Sequence, residues 1–379
     1  MAVPFNRIVP AGPELDYIRE AIAIGLSGNG RFTQRCQALL EASLGSGRVL
    51  LTTSCTAALE MSAILADVGP GDEVILPSYT FTSTANAFVL RGAVPVFVDV
   101  RPDTLNIDEA LVEAAITPRT KAICVVHYAG VAAALDAIGD IAARHGLALI
   151  EDAAQGIGAT WRERPLGTFG ALAAVSFHET KNVIAGEAGA LIVNDPALVE
   201  RAEIVWEKGT DRVRFKRGMV DKYTWVDVGS SYLPNELTAA FLLAQLEAIP
   251  AITARRRRGF EGYHRRLAPL EAAGLLRRPV VPQDCEANGH IYYVLAPDRA
   301  RCDAWIAGLQ AAGINALTHY VPLHSSPAGR RFGRAASTMA VTDRIAETLI
   351  RLPLHGGIED RDVEEVADRL TQLVGETSG

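Results

Sequence analysis

The sequence predicts an α/β fold, with a mostly parallel central sheet in a large domain and a smaller α+β C-terminal domain. Short β-rich runs alternate with stretches of helical spacing, which is typical of a parallel sheet covered by helices on both faces. The runs carry few charges, as expected for strands buried on both sides. The predicted strands are residues 49–52, 73–76, 94–99, 122–126, 147–152, 172–177 and 190–193.

The predicted large domain covers residues 1–248 and begins with a loose N-terminal arm. Within it, helical spacing appears at residues 106–115 and 133–144. The predicted small domain, residues 249–379, begins with a long basic helix. Its other regular segments, which form the smaller α+β unit, are residues 290–295, 302–312 and 360–373.

Composition limits the classes of function. A chain of 379 residues that is 49% hydrophobic can bury a large core. It has no apolar run long enough to cross a bilayer and no secretory signal at its start, so we expect a cytoplasmic protein. The net charge of −7 argues against general nucleic-acid binding, and the basic run 255–258 is expected on a solvated or intersubunit helix face. Five scattered cysteines without a C-x-x-C pair predict free thiols and no metal site.

Small polar residues follow the first predicted strand. Ser54, Cys55 and Thr56 open a helix, and the free N–H groups of a helix N-terminus attract an anion such as a phosphate. An ordinary N-cap by Ser54 or Thr56 would explain the same residues. The pattern alone leaves both interpretations open.

An acidic residue ends the predicted strand 147–152. Ligands of open α/β sheets bind at the carboxyl ends of strands, so Asp152 is placed to bind a protonated ring nitrogen, with the Gln155 amide three residues on. An ionised carboxylate there would keep a pyridinium protonated and therefore electron-withdrawing. A helix-capping role for Asp152 stays open.

A single lysine stands among small and apolar residues after the next strand. Burial at a strand end lowers the pKa of an amine and makes it a nucleophile, which is the functional interpretation of Lys181. Gly186 and Gly189 allow a tight turn behind it. The alternative is a surface lysine, the usual situation for this residue type.

Six stretches together resemble the DegT/DnrJ/EryC1/StrS family of sugar aminotransferases, within the fold-type I enzymes of pyridoxal 5'-phosphate (PLP). The resemblance covers almost the whole chain. It is strongest to the branch that makes TDP-4-amino-4,6-dideoxygalactose, because residues 178–182 and 221–225 are specific to that subgroup. The six stretches are residues 52–56, 77–81, 151–155, 176–182, 221–225 and 319–324.

The resemblance implies that Lys181 holds PLP as a Schiff base and that Asp152 pairs with the ring nitrogen. Lys181, released by the amino donor, would then move the donor's α-proton, with pyridoxamine phosphate (PMP) as the half-reaction form. Phe81, otherwise assigned to the core, would stack on the ring. The other residues implied to bind PLP are Ser54, the amides of Cys55 and Thr56 and the Ser176 hydroxyl at the phosphate, and Gln155 at the ring hydroxyl.

The implied reaction transfers an amino group from glutamate to C4 of TDP-4-keto-6-deoxy-D-glucose, giving TDP-4-amino-4,6-dideoxy-D-galactose for surface glycans. Cations suit a diphosphate and aromatic faces suit a base, although a solvated loop would explain the same residue types between 208 and 225. The residues expected to bind substrate are His178, Lys208, Arg212, Lys222, Tyr223 and Trp225, with His319, Tyr320 and His324 at the active-site rim.

Two positions depart from the family's pattern. Leu233 follows Tyr232 where members commonly have an Asn that reaches the partner subunit's phosphate, so Ser231 or Tyr232 is the expected substitute. Ala188 stands where a glycine is usual, which predicts that the turn does not require a positive φ there. The family also implies a twofold homodimer with active sites at the interface.

Three other functions stay open. Another nucleotide keto sugar, such as GDP-4-keto-6-deoxymannose, would undergo the same chemistry. A related PLP-dependent dehydratase has histidine where these enzymes keep lysine, so Lys181 argues against it. A non-catalytic PLP-binding regulator is the remaining alternative.

Overall fold

An eight-stranded sheet forms the centre of the protein in a computed structural model that describes residues 3–45 and 47–377. Two smaller sheets flank it. The strands are β1 (Arg48–Thr52), β2 (Glu73–Pro77), β3 (Val94–Val98), β4 (Thr120–Val126), β5 (Ala148–Asp152), β6 (Thr160–Trp161), β7 (Arg164–Pro165), β8 (Leu172–Ser176), β9 (Gly189–Val193), β10 (Cys285–Glu286), β11 (Tyr292–Leu295), β12 (Arg334–Ala335) and β13 (Leu349–Leu352).

The central sheet is mostly parallel, as the sequence predicts. Its strand order is β1-β9-β8-β5-β4-β2-β3-β12, and β9 runs antiparallel to both of its neighbours. The other neighbouring pairs are parallel. The predicted fold class is therefore confirmed, and the carboxyl ends of β4, β5 and β8 meet at one edge of the sheet.

Helices cover both faces of the sheet. Within the described residues, no single helix has the length and apolar character needed to cross a bilayer, and only α9 with α10, bent by 63°, meets that test as a pair. The helices are α1 (Glu14–Ile24), α2 (Arg31–Leu44), α3 (Cys55–Leu65), α4 (Thr82–Val89), α5 (Glu109–Ala115), α6 (Leu135–His145), α7 (Val199–Trp206), α8 (Arg212–Lys216), α9 (Glu236–Glu247), α10 (Ile249–Arg266), α11 (Ala268–Ala272), α12 (Arg299–Ala311), α13 (Pro327–Phe332), α14 (Ala340–Thr348) and α15 (Asp360–Thr377).

The N-terminal segment is more ordered than the sequence predicts. It contains α1 and α2, so the prediction of a loose arm is wrong for these residues. α2 buries Phe32, Cys36 and Leu40, which are four residues apart and so share one helix face. This face packs into the apolar cluster formed with β1 and α9.

A separate apolar cluster lies in the C-terminal part of the chain. There β11 pairs antiparallel with β13, and α10, α12 and α15 pack against them. Strand pairings cross the predicted domain boundary at three places, where Val3 pairs with Ile314, β10 pairs with β6 and β12 extends the central sheet beside β3. The division at residues 248 and 249 falls between α9 and α10 and stays a prediction.

The basic run in α10 is not uniformly solvated. Arg256 is buried and donates hydrogen bonds to the carbonyl oxygens of Gly289, His290 and Leu354. Seven residues separate it from Tyr263, two helical turns on the same buried face. The prediction of a solvated face is therefore wrong for Arg256.

Candidate active site

A cavity of about 560 Å³ opens at the carboxyl ends of the central strands. Its wall combines the start of α3, the ends of β5 and β8, and segments from the C-terminal part. The predicted site residues that line it are Ser54, Cys55, Thr56, Phe81, Asp152, Gln155, Ser176, His178, Lys181, His319 and Tyr320.

Asp152 and Lys181 face the same cavity. The Asp152 carboxylate accepts hydrogen bonds from the Thr84 hydroxyl (2.7 Å) and the Ala154 N–H (3.1 Å). A turn follows it rather than a helix, so the capping alternative does not apply. Burial raises the pKa of Asp152 and lowers the pKa of Lys181, while each charge favours the ionised form of the other. Lys181 is half-buried in the cavity wall, which excludes the surface-lysine alternative.

α3 begins at the cavity. Ser54 is its N-cap and accepts a hydrogen bond from the Ala57 N–H (3.1 Å), so the capping alternative is correct for Ser54. The Thr56 and Ser83 hydroxyls lie 2.7 Å apart. First-turn N–H groups have no acceptor within an α-helix, so the amides of Cys55 and Thr56 can still hold a phosphate.

β9 approaches the start of α3 too closely for a side chain. A Cβ at Gly189 would lie 2.4 Å from the Cys55 nitrogen, so this position requires glycine. Gly186 has φ +75°, whereas Ala188 lies outside the positive-φ region, as the sequence predicts. The turn behind Lys181 therefore depends on glycine at two positions for two different reasons.

Aromatic rings form one side of the cavity. Phe81 is 59% exposed, which contradicts its assignment to the core, and its ring centre lies 6.4 Å from that of Tyr320. His319 stacks on Tyr320 at 3.7 Å between ring centres, and its Nδ1 lies 2.7 Å from the Tyr128 hydroxyl. Burial lowers the pKa of His319 well below its usual value. This side offers flat, uncharged faces to a planar ligand.

Hydrogen bonds fix the other predicted cofactor residues. The Gln155 Oε1 accepts from the Ala129 N–H (2.7 Å), and Nε2 donates to the Tyr320 hydroxyl (2.9 Å). An amide nitrogen carries two hydrogens, so Gln155 can donate a second bond to a ligand. Ser176 ends β8, and its hydroxyl accepts from the His178 N–H (3.4 Å).

Some predicted substrate residues do not line this cavity, namely Lys208, Arg212, Lys222, Tyr223 and Trp225. Lys208 and Arg212 lie 3.5 and 3.8 Å from the Glu207 carboxylate, and the Trp225 side chain is 78% exposed. Within one chain these positions agree with the solvated-loop alternative. Their role in substrate binding stays a prediction.

His324 also lies outside the cavity lining. Its Nδ1 lies 2.8 Å from the Ser78 hydroxyl and its Nε2 lies 3.3 Å from the Asp343 carboxylate. These partners tie it to the end of β2 and to α14. The structure therefore does not place His324 at the predicted rim.

Tyr232 is buried in an apolar cluster of its own chain. Its carbonyl oxygen accepts a hydrogen bond from the Thr53 N–H (2.9 Å), next to the start of α3. Ser231 is exposed and so is the freer of the two candidates for a bond across a dimer. This substitution for the usual Asn stays a prediction.

Sequence reasoning missed Arg351 and His290, which line the same cavity. Arg351 is a lone charge in the apolar strand β13, and that contrast was a usable signal. The His290 Nδ1 lies 2.9 Å from Oδ1 of Asn182, the residue after Lys181. No local pattern distinguishes His290 from a core histidine.

The cavity residues fit PLP. The coenzyme needs an amine for its aldehyde, a carboxylate for its ring nitrogen, donors for its phosphate and a flat surface for its ring. Lys181 and Asp152 meet the first two needs, the start of α3 meets the third and Phe81 meets the fourth. A mostly parallel sheet with this set at its carboxyl edge defines the class of fold-type I aminotransferases.

The chain belongs to the DegT/DnrJ/EryC1/StrS aminotransferase family, whose model matches residues 11–371. This membership confirms the predicted family, the prediction of an aminotransferase and the prediction of PLP as its cofactor.

Solved structures of other proteins share this fold. TlmJ, an aminotransferase from Streptoalloteichus hindustanus, is 32% identical with a TM-score of 0.89, covering 99% of this chain and 100% of its own. DesV from S. venezuelae, solved with a ketimine intermediate, is 30% identical with a TM-score of 0.88, covering 98% of both chains. The PLP form of Spr1654 from Streptococcus pneumoniae, a putative sugar aminotransferase, is 24% identical with a TM-score of 0.91, covering 99% of both chains. At that identity, Spr1654 supports the fold alone.

Proposed function

We propose that this protein transfers the amino group of glutamate to C4 of TDP-4-keto-6-deoxy-D-glucose, forming TDP-4-amino-4,6-dideoxy-D-galactose for surface glycan biosynthesis in the cytoplasm. The observation that carries the proposal is that Lys181, Asp152 and the start of α3 line the same cavity. The choice of sugar rests on residues 178–182 and 221–225, which resemble the branch with that activity.

Asp152, the amides of α3 and Lys181 each have a separate role in the proposed reaction. Bound PLP supplies an electron sink for charge that develops at the donor's α-carbon. The Asp152 carboxylate holds the proton at the ring nitrogen, and the amides of α3 hold the phosphate. Burial lowers the pKa of Lys181, so more of its amine is neutral and able to accept the α-proton near neutral pH.

The same lysine serves both halves of the reaction. Lys181 Nζ accepts the proton from the amino donor, and in the second half it delivers a proton to C4 of the sugar. Delivery from one side of the cavity determines the configuration at C4. Because both substrates use one site in turn, the kinetics are expected to be ping-pong.

The test supplies purified protein with PLP, glutamate and one keto sugar at a time, and identifies the product by mass spectrometry and NMR. We expect conversion of TDP-4-keto-6-deoxy-D-glucose to the galacto-configured 4-amino sugar. Lys181→Ala is expected to lower the rate by about 10³-fold or more. Preferred conversion of GDP-4-keto-6-deoxymannose would refute the TDP sugar, and failure of glutamate to convert bound PLP to PMP would leave the regulator alternative.

A further inference from the structure

A cavity of about 580 Å³ lies apart from the active site, and we call it the α14 cavity. Residues of α14, the end of β11 and the segment that follows α11 form most of its wall, and Pro102 joins them from the predicted large domain. Within residues 3–45 and 47–377, no residue lines both this cavity and the active-site cavity. Small-molecule sites usually enclose about 300–1,000 Å³, so the α14 cavity has the size of a separate ligand site.

Two arginines, Arg277 and Arg344, lie in a wall that is otherwise mostly aliphatic. Leu276, Leu295 and Val341 contribute to its apolar surface. Among the described residues, the lining contains no acidic and no aromatic side chain. The α14 cavity therefore presents positive charge beside an apolar surface, without a counter-ion in its own wall.

Hydrogen bonds to Leu295 fix the main chain of Arg277, whereas its guanidinium is not satisfied. The Arg277 N–H donates to the Leu295 carbonyl oxygen (3.0 Å), and the Arg277 carbonyl oxygen accepts from the Leu295 N–H (2.8 Å). Two guanidinium nitrogens, Nε and Nη2, are buried without a hydrogen-bond partner in the part of the chain that the structure describes. Donors that are removed from water without an acceptor cost free energy, so this side chain needs a partner from outside the chain.

The neighbouring Arg278 shows how the same segment satisfies a guanidinium with a structural role. Its Nε and Nη2 lie 2.7 and 2.6 Å from the Glu271 carboxylate. Asp103 cannot serve Arg277 in this way, because both of its carboxylate oxygens accept hydrogen bonds from Arg101 (2.9 and 2.7 Å). A charge that is partly screened from water attracts an opposite charge more strongly than one in bulk water. The unsatisfied Arg277 guanidinium in the cavity wall therefore indicates a site for an anion.

We propose that the α14 cavity binds an organic phosphate with an aliphatic body, and that Arg277 and Arg344 bind its phosphate group. A phosphate monoester carries a charge of about −1.5 to −2 at neutral pH, which matches the two positive charges of the wall. The planar guanidinium group also suits the geometry of phosphate oxygens. Leu276, Leu295 and Val341 offer aliphatic contacts for the rest of the ligand, and the wall has no aromatic ring on which a base would stack.

The test uses PLP-loaded protein, so that the coenzyme already fills the phosphate site at the start of α3. The protein is titrated with hexyl phosphate, and binding is measured by calorimetry. Inorganic phosphate tests the head group alone, hexanol tests the aliphatic body alone, and hexanoate tests a head group with a single negative charge. The absorbance of the bound cofactor is recorded in each titration to detect binding in the active-site cavity.

Three variants change the charge of the wall. Arg277→Gln and Arg344→Gln each remove a positive charge, and Ala340→Asp adds a negative charge at an exposed position of the lining. The matched control is Arg330→Gln, because Arg330 is an exposed arginine of α13 that does not line the α14 cavity.

We expect hexyl phosphate to bind the wild-type protein more tightly than inorganic phosphate, hexanol or hexanoate, since each of these lacks part of the complementary chemistry. Arg277→Gln is expected to weaken hexyl phosphate binding by about 10- to 100-fold, because hydrogen bonds to charged groups are among the strong ones. Arg344→Gln and Ala340→Asp are expected to weaken it by about 2- to 5-fold, as is usual for exposed charges. Arg330→Gln is expected to leave the affinity unchanged.

Failure of hexyl phosphate to bind the wild-type protein would overturn the proposal. Binding that changes the cofactor absorbance and persists in Arg277→Gln would also overturn it, because the probe would then lie in the active-site cavity. Equal affinity for hexanoate would overturn the choice of a phosphate. If circular dichroism shows that Arg277→Gln does not fold, Arg344→Gln and Ala340→Asp decide, since both change exposed positions of α14, and unchanged affinity in these two variants would exclude the site.

Discussion

Two opposing effects set the pKa of Lys181, namely its burial and the negative charge near it. Burial lowers its pKa below the ordinary value of 10.5, and Asp152 partly offsets this effect. At pH values between the lowered pKa of Lys181 in the folded protein and 10.5 in the unfolded chain, the folded protein without cofactor binds fewer protons at Lys181 than the unfolded chain does. Stability therefore rises with pH in this window. The loss of folding stability that comes from burying the protonated Lys181 amine is present at neutral pH and disappears towards pH 10.5.

We expect cofactor-free Lys181→Met to be more stable than the wild type at neutral pH by about 0.5–2 kcal/mol, a common gain when an active-site compromise is removed. The difference in free energy of unfolding should narrow as the pH rises towards 10.5, as measured by urea unfolding across the pH range. The control is Lys121→Met, an exposed lysine of β4, which should stay within about 0.5 kcal/mol of wild type throughout. A Lys181→Met difference independent of pH would contradict the lowered pKa.

Individual site residues differ in how far the sequence could reveal them. Asp152 and Lys181 could be predicted because Asp152 ends a buried strand and Lys181 follows one, at the edge where open sheets bind ligands. Phe81 needed the family resemblance, since an aromatic residue after a strand is normally part of a core. Arg351 is marked by its charge in an apolar strand, whereas no local pattern marks His290. Both residues reach the cavity only when the C-terminal part folds over the sheet.

At the level of elements, the close approach of β9 to the start of α3 fixes the position of the amides predicted to bind the phosphate. A Cβ at Gly189 would lie 2.4 Å from both the Cys55 nitrogen and the Ser54 carbonyl carbon, so the backbone of α3 must move. We expect Gly189→Ala to lower stability by about 1–3 kcal/mol, as overpacking does. It should also weaken PLP binding by about 10-fold or more, because the displaced amide is a phosphate donor. Titration of the cofactor-free protein with PLP measures this affinity.

Gly186 in the same turn is the matched control. It has φ +75°, but a Cβ added there would have no neighbouring atom within 4 Å, so alanine is strained without displacing α3. We expect Gly186→Ala to cost about 1 kcal/mol of stability and to leave PLP affinity unchanged. Equal PLP affinities for the two variants would show that the close approach of β9 does not position the phosphate donors.

α2 shows why the start of a helix in the N-terminal segment could not be predicted from nearby residues. Its N-cap is Gly30, which has no side chain to accept a hydrogen bond. Glu236 of α9 does this instead, accepting hydrogen bonds from the N–H groups of Gly30 (3.1 Å), Phe32 (2.7 Å) and Thr33 (3.2 Å). A cap supplied by a residue so distant in the sequence leaves no signal near the helix that it stabilises.

We expect Glu236→Gln to lower the free energy of unfolding by about 2–3 kcal/mol, because buried N–H groups lose a charged acceptor. Urea unfolding with an unchanged slope would measure it. The control is Glu247→Gln in the same helix, an acid 37% exposed whose partners are Arg35 and the Tyr17 hydroxyl. It should cost less than about 1 kcal/mol. Equal costs for the two substitutions would contradict the capping role.

At the scale of the whole molecule, the segment around residues 219–226 exposes apolar side chains to solvent. Met219, Tyr223, Trp225 and Val226 are each at least half exposed, and they lie in the segment that carries the predicted substrate residues. Contiguous exposed apolar groups indicate a partner surface. This surface supports the predicted homodimer, in which the segment would serve the cavity of the neighbouring subunit.

Hybrid dimers test that arrangement. Lys181→Ala disables the cavity of the chain that carries it. Lys222→Ala combined with Trp225→Ala is expected to disable the cavity of the neighbouring chain instead. A homodimer of either variant is therefore expected to be inactive. In an equal mixture reassembled from unfolded chains, half of the dimers are hybrids with one intact site, and activity should recover to about a quarter of the wild type. The control mixes Lys181→Ala with Asp152→Ala; both residues line the cavity of their own chain, so no hybrid has an intact site. Recovery in neither mixture would mean that the segment acts within its own subunit, and recovery in both would place Lys181 and Asp152 in different sites.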